Sequence, residues 1–104
     1  MTTGMTETRN QALGRVKAMV VGALAGYDAK IYLFGSCAAG TARRSSDIDI
    51  AVDTREPLPP NLLVTVVERL EESTIPFEVD VVDLRTVSPD FRAKVLREGV
   101  LWSD

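Results

Sequence analysis

Two stretches decide the fold of this chain: Ile31-Tyr32-Leu33-Phe34-Gly35-Ser36 and, after a short spacer, Ser46-Asp47-Ile48-Asp49-Ile50-Ala51-Val52. The apolar run in the first stretch predicts a strand that ends at Gly35-Ser36, where a helix begins. Side chains alternate faces along a strand, so Asp47 and Asp49 are expected on one face and the isoleucines on the other, toward a core. A glycine turn beside two parallel carboxylates indicates a metal-dependent nucleotide site.

The length and charge of the chain limit its function. Its 104 residues suit one domain, which we expect over 8–104, behind a flexible N-terminal tail over 1–7. The net charge of −3 argues against direct binding of nucleic acid, which needs Lys and Arg to neutralise phosphates. The sequence has neither a secretory apolar core nor the roughly 20 apolar residues of a membrane span, and it predicts cytoplasmic residence without membrane contact.

Two scarce residue types exclude whole classes of chemistry. The chain has no histidine, which excludes Ser-His-Asp catalysis, Cys-His catalysis and histidine-bound zinc. Its single cysteine, Cys37, allows no intrachain disulfide and fits a reducing compartment. Any chemistry must therefore use carboxylates, hydroxyls, amines or the backbone.

Hydrophobic periodicity and capping residues predict four helices that alternate with three strands. The helices are expected from Thr6 or Thr8 to Ala25, in a short segment starting at Ser36, over 61–73 and over 89–99, and the strands over 31–34, 47–52 and 77–82. We interpret residues 100–102 as a short apolar tail. This order predicts an α/β (α+β) fold, in which helices pack on a single small mixed sheet.

A third carboxylate, Asp80, supports a site at Asp47 and Asp49. It lies in the strand over 77–82, on the face opposite Val79 and Val81. If the two strands are neighbours, three carboxylates converge, and three carboxylates can hold two Mg²⁺ ions. For Asp47 and Asp49 alone, the alternative is that both face water on the outer side of an edge strand.

Three other acidic residues compete with Asp80 for this role. Glu78 and Asp53 share the right strand face, but we interpret both as solvated charges at strand ends. Asp83 is expected on the core side of its strand, near the strand's end, and is therefore the weakest of the three candidates. The turn at Gly35-Ser36 also has an ordinary alternative, a strand-to-helix turn with a serine N-cap, beside its interpretation as a phosphate-binding helix start.

Taken together, these residues resemble the nucleotidyltransferase superfamily that includes DNA polymerase beta, and within it the minimal nucleotidyltransferases. Gly35-Ser36-Cys37-Ala38-Ala39-Gly40 is similar to the motif G-S-x-A-R-G of those proteins, and Ser46-Asp47-Ile48-Asp49 to their S-D-x-D. The segment over 79–84 resembles their third-carboxylate strand, and the segment over 91–102 their closing helix and tail. The resemblance covers about residues 29–102 and implies a nucleotidyltransferase fold.

The resemblance also implies a role for each motif residue. Gly35 and Ser36 would hold the triphosphate of ATP, and Ser46 would orient Asp47 or its loop. Asp47 and Asp49 would bind Mg²⁺, and Asp80 would bind a second Mg²⁺ and help to activate the attacking hydroxyl. The implied reaction transfers AMP from ATP to a hydroxyl and releases pyrophosphate.

Such minimal proteins resemble the antitoxin half of toxin–antitoxin pairs, which implies a HEPN-type toxin as partner, a hetero-oligomer, and AMP transfer to a toxin tyrosine. One position departs from the motif, because Ala39 stands where the family has arginine, and Arg43 and Arg44 lie nearby. This departure motivates the alternative of an antitoxin that is weakly active or inactive and neutralises its toxin by binding alone. Transfer to a small molecule is a third alternative, but it needs substrate-binding domains for which 104 residues leave no room.

Overall fold

The computed structural model describes residues 8–35 and 47–103, and the predicted helix start at Ser36 and the tail over 1–7 lie outside the described residues. Over the described ranges the chain forms three helices and four strands. In chain order they are α1 (Arg9–Ala23), β1 (Ala29–Phe34), β2 (Ile48–Thr54), α2 (Leu62–Glu72), β3 (Val79–Asp83), α3 (Pro89–Glu98) and β4 (Val100–Ser103). The described helices include none that is long and apolar enough to cross a membrane.

The strands of the described chain form one mixed sheet in the order β3-β2-β1-β4. Strand β1 pairs antiparallel with both β2 and β4, and β2 pairs in parallel with β3. A parallel pair needs a crossover connection, and α2 supplies it. The predicted single mixed sheet with packed helices is confirmed.

The main core lies on the sheet face that α1 and α2 cover. Val16 and Val20 of α1 and Val66 and Leu70 of α2 pack there against the inward side chains of β1 and β2, among them Ile50. Helix α1 begins with a capping box, in which the Thr8 side chain accepts from the Gln11 N–H and the Gln11 side chain accepts from the Thr8 N–H. The alternation of β2 therefore points its isoleucines toward the main core, as the sequence predicted.

Helix α3 covers part of the opposite face. Ala51, Leu84 and Val95 form a second buried cluster there. Phe34 of β1 meets Phe91 of α3 edge to face, with ring centroids 5.6 Å apart and an interplanar angle of 86°. The face that carries the aspartates of β2 is thus covered by α3 in its middle, at Ala51.

The C-terminal segment differs from its prediction. Residues 100–102 were expected to be an apolar tail, but Val100–Ser103 forms edge strand β4 beside β1. The sequence pattern is too short to separate a tail from a strand, and only pairing with β1 stabilises the extended form. The strand predicted over 47–52 begins and ends later, at Ile48–Thr54, and the strand predicted over 77–82 is Val79–Asp83.

Candidate active site

The parallel pairing of β2 and β3 brings two aspartates side by side. Asp49 lies in register with Asp80, so both side chains leave the same face of the sheet. A backbone hydrogen bond of 2.9 Å from the Ile48 N–H to the Glu78 carbonyl ties the two strands together at this end. The two strands are therefore neighbours, which was the condition for the predicted convergence of the carboxylates.

Gly35 forms the third side of this site. It follows Phe34, which is the register partner of Asp49 on the other neighbouring strand. Gly35 has a φ of +75°, in the left-handed region that favours glycine. A Cβ atom added at Gly35 would collide with Oδ2 of Asp49 and lie 3.3 Å from its Cγ. The backbone turn therefore lies directly against the carboxylate, with no room for a side chain between them.

Electrostatics single out Asp49 among the three aspartates. Burial raises the pKa of its carboxyl, and the negative charges of Asp80 and Asp47 raise the pKa further. Asp49 is half-buried, whereas Asp47 and Asp80 are exposed. The negative charges of Asp80 and Asp47 therefore both act on Asp49, which lies in register with Asp80.

The donor chemistry of this site fits a hard divalent cation. Mg²⁺ prefers carboxylate oxygens at about 2.1 Å and keeps several waters, and a cation would relieve the repulsion that acts on Asp49. Within 8–35 and 47–103, no three His, Cys, Asp or Glu side chains are close enough together to hold an ion. Asp80 is exposed, so its side chain can change rotamer toward Asp49 without disturbing the core.

The other predicted site residues have different outcomes. Asp47 is described and immediately precedes β2. Ser36, Ser46 and the atypical Ala39 lie outside the described residues, so their roles stay predictions.

One competing acidic residue was interpreted wrongly. Asp53 was expected to be a solvated strand-end charge, but it forms a two-pronged ion pair with Arg92 of α3, at 2.7 and 3.3 Å. Only 17% of the Asp53 side chain is exposed, so it is a structural anchor and not a free ligand. Glu78 is exposed as expected, and Asp83 accepts a 2.9 Å hydrogen bond from the Arg85 N–H in the turn after β3.

Sequence reasoning missed the side chains that seat α3 beside the site. Arg92 and Phe91 fix this helix to Asp53 and to Phe34, the residue before Gly35. The sequence contains one usable signal, since Asp53 continues the period-two series of Asp47 and Asp49 and therefore lies on their face. Nothing in the sequence shows which cation on another element would reach it.

Comparison with known proteins agrees with this geometry. Residues 28–103 match the family model described as "Polymerase beta, Nucleotidyltransferase", a range that holds the sheet, α2, α3 and all three aspartates. The chain belongs to this family of nucleotidyltransferases.

Two curated relatives narrow the resemblance to the minimal members. The chain is 38% identical over 65 residues to MntA of Haemophilus influenzae, which is named a probable protein adenylyltransferase. This match covers 62% of this chain. It is 41% identical over 73 residues to the protein adenylyltransferase MntA of Shewanella oneidensis, which covers 69% of this chain. The matches span 57% and 52% of the two relatives, so this chain aligns with little more than half of each.

Solved structures share the fold. A candidate minimal nucleotidyltransferase superposes with a TM-score of 0.72 at 30% identity, over 93% of this chain and 98% of the other. A second match is a chain in the structure of a tri-AMPylated HEPN toxin from Shewanella oneidensis in complex with its MNT antitoxin. It superposes with a TM-score of 0.67 at 25% identity, over 92% of this chain and 72% of the other. The predicted nucleotidyltransferase fold is confirmed by these neighbours.

Proposed function

We propose that this chain transfers AMP from ATP to a tyrosine hydroxyl of a HEPN-type toxin, with Mg²⁺ as the cofactor, and so acts as the antitoxin. The observation that carries the proposal is the register pair of Asp49 and Asp80 beside the left-handed turn at Gly35. The MntA relatives, named as protein adenylyltransferases, and the AMPylated toxin complex support the substrate class.

The residues divide the work by position. Asp47, Asp49 and Asp80 would hold the two Mg²⁺ ions that the family resemblance implies, and these ions would stabilise charge on the attacking and leaving oxygens. Gly35, with Ser36 beyond the described residues, would seat the triphosphate, because a backbone without a side chain lets phosphate approach closely. Ser46, also beyond the described residues, would orient Asp47 or its loop beside the nucleotide. Asp80, on the exposed side, would help to take the proton of the acceptor hydroxyl. The acceptor oxygen then bonds to the α-phosphorus, and pyrophosphate leaves.

The direct test is transfer from ATP labelled at the α-phosphate to the purified toxin partner in the presence of Mg²⁺. Wild type is expected to label the toxin, and Asp49→Asn to lose about 10²- to 10⁴-fold in rate, since metal-held charge contributes several kcal/mol. Asp90→Asn is the matched control, because Asp90 is an exposed carboxylate of α3 outside the site. Mg²⁺ should also raise the melting temperature of wild type and of the control variant, but not of Asp49→Asn.

The alternative function is neutralisation of the toxin by binding alone, and a neutralisation assay in cells separates it from catalysis. If wild type transfers no AMP and Asp47→Asn/Asp49→Asn still neutralises the toxin in cells, the chain is an antitoxin without catalysis. Ala39 in place of the motif arginine is the sequence feature that favours this outcome.

A further inference from the structure

A groove of about 390 Å³ runs beside the candidate active site, between the C-terminal end of α2 and the start of β3. Its apolar lining includes Leu70, Ile75 and Phe77, and its acidic lining is Glu71, Glu78 and Asp80. Asp80 borders both the groove and the carboxylate site, so the two meet at the edge of β3, with the groove on the side of the sheet that α2 covers and the carboxylates on the opposite side.

The charge of the groove selects its occupant. Its described lining holds three carboxylates and no Lys or Arg. The Arg9 guanidinium lies 4.5 Å from the centroid of the Phe77 ring, so an arginine of this chain already packs on the aromatic residue of the lining. A groove with an apolar floor and an acidic rim suits a basic peptide that carries an aromatic side chain, and it repels the phosphates of RNA.

Strand β3 adds a backbone edge along this groove. The Glu78 carbonyl and the Leu84 N–H bond to β2, so in a parallel ladder the N–H and carbonyl groups of Val79 and Val81 point away from it. Among the described residues no strand pairs with that outer edge. An extended peptide there can hydrogen-bond to the edge, and every second side chain then faces the groove while the others face the Asp80 side of the sheet.

We propose that this groove seats the acceptor segment of the protein substrate, an extended stretch in which arginine or lysine flanks the tyrosine. The inference rests on the proposed function and adds the specificity of the acceptor. The tyrosine lies on the Asp80 side of this edge, with its basic neighbours toward the groove. Its hydroxyl loses its proton to Asp80 and forms the bond to the α-phosphorus of ATP as the bond to pyrophosphate breaks.

The binding arm of the test uses the ¹⁵N-labelled chain with Mg²⁺ and a non-hydrolysable ATP analogue. The probe is a short peptide with a central tyrosine and two arginines on each side, compared with the same peptide carrying glutamates and with an RNA oligonucleotide. We expect the arginine peptide to shift amide signals of residues 70–80, and Glu71→Lys/Glu78→Lys to weaken its binding about tenfold or more.

Glu68→Lys/Glu72→Lys is the matched control, because both residues lie on the helix that carries Glu71, the change in net charge is the same, and neither residue lines the groove. We expect this control variant to weaken peptide binding by less than about threefold, because it removes only long-range electrostatic attraction. The inference is overturned if the arginine peptide shifts no groove signal at millimolar concentration. Binding of the glutamate peptide or the RNA there with equal strength also overturns it, as does an equal loss in the two double variants.

The transfer arm separates the inference from the proposed function. With the purified toxin as acceptor, Glu71→Lys/Glu78→Lys should slow AMP transfer by raising KM for the toxin, with little change in KM for ATP. Unchanged KM for the toxin rejects the groove while transfer stands. Wild type that binds the arginine peptide in the groove but labels no acceptor supports the groove and rejects the transfer.

Discussion

Replacing Gly35 with alanine tests the site without changing any charge. Gly35 has a φ of +75°, and its missing side chain leaves the space that Oδ2 of Asp49 occupies. Gly35→Ala therefore strains the backbone and also presses on the central carboxylate. Gly26 is a matched control, because it has a φ of +94° and no atom within 4 Å of an added Cβ.

The backbone cost should be similar at both positions. A left-handed conformation costs an alanine about 1–2 kcal/mol, and the stiffer unfolded chain returns about 0.4–1 kcal/mol of that. The net loss in free energy of unfolding is about 1 kcal/mol for each variant, which lowers the melting temperature of a domain of this size by about 4–8 °C. The two variants should therefore differ in free energy of unfolding only by the cost of the collision with Asp49, which Gly35→Ala adds.

The collision should separate them in function. Because the new Cβ and Oδ2 of Asp49 cannot share one space, the carboxylate must turn away from its position between Gly35 and Asp80. A displacement of about 1 Å in a catalytic site can cost about 10²-fold in rate. We expect Gly35→Ala to lose AMP transfer by about that factor and to lose the Mg²⁺-dependent rise in melting temperature, while Gly26→Ala keeps both.

A double-mutant cycle isolates the contact itself. In an Asp49→Ala background the colliding oxygen is gone, and the remaining Cβ of residue 49 lies at an ordinary 3.5 Å. Gly35→Ala should then cost about 1 kcal/mol less in unfolding free energy than it does in wild type, a coupling typical of residues in contact. Additive free energies, or a Gly35→Ala variant with the Mg²⁺ response of wild type, would refute the close approach of turn and carboxylate.

Three further predictions concern the frame around the site. In EDTA, Asp49→Asn should raise the free energy of unfolding at pH 7 by about 1 kcal/mol, a value kept small by the exposure of the neighbouring charges. Because the raised pKa of Asp49 means that the folded state holds its proton more tightly, this gain should shrink as pH falls through the raised pKa toward 3.8, in urea titrations at several pH values. Arg92→Met should lower the free energy of unfolding by about 1–2 kcal/mol, measured by the same urea titrations. This loss lies between those typical of surface and of buried ion pairs, because the partner Asp53 is 17% exposed. Arg97→Met, which breaks an exposed pair, should change it by no more than about 0.5 kcal/mol. Thr8→Ala should remove the capping box of α1 and lower stability by about 1 kcal/mol, and an unchanged unfolding midpoint would contradict that cap.

The sequence predicted the parts of the fold that depend on one element at a time. The alternation in β2 set the inward isoleucines, and the proline at the start of α3 set its first residue. Strand β4 escaped prediction because four residues carry too little pattern, and its form depends on hydrogen bonds to β1. Boundaries shifted by one or two residues wherever a neighbouring strand decided where pairing stops.

The candidate site shows the same division. The shared face of Asp47 and Asp49 follows from the period of a strand, but the position of Asp80 depends on strand order, which was a conditional prediction from the sequence and is decided by tertiary pairing. The contact between Gly35 and Asp49 depends on the antiparallel register of β1 with β2. Distances of this kind arise between elements, where sequence spacing carries little information.

Asp49 and Asp53 lie on one face of β2 but have opposite electrostatic surroundings. Asp53 meets Arg92, which holds α3 down on the face, and Ala51 between the two aspartates is small enough for the helix to pack closely over it. Asp49 lies beyond the helix, and its described acidic neighbours Asp80 and Asp47 raise its pKa. A face built for stability alone would neutralise both ends. Among the described residues, the repulsion at Asp49 supports the cation site proposed above, in the way that catalytic sites keep unfavourable charge for function.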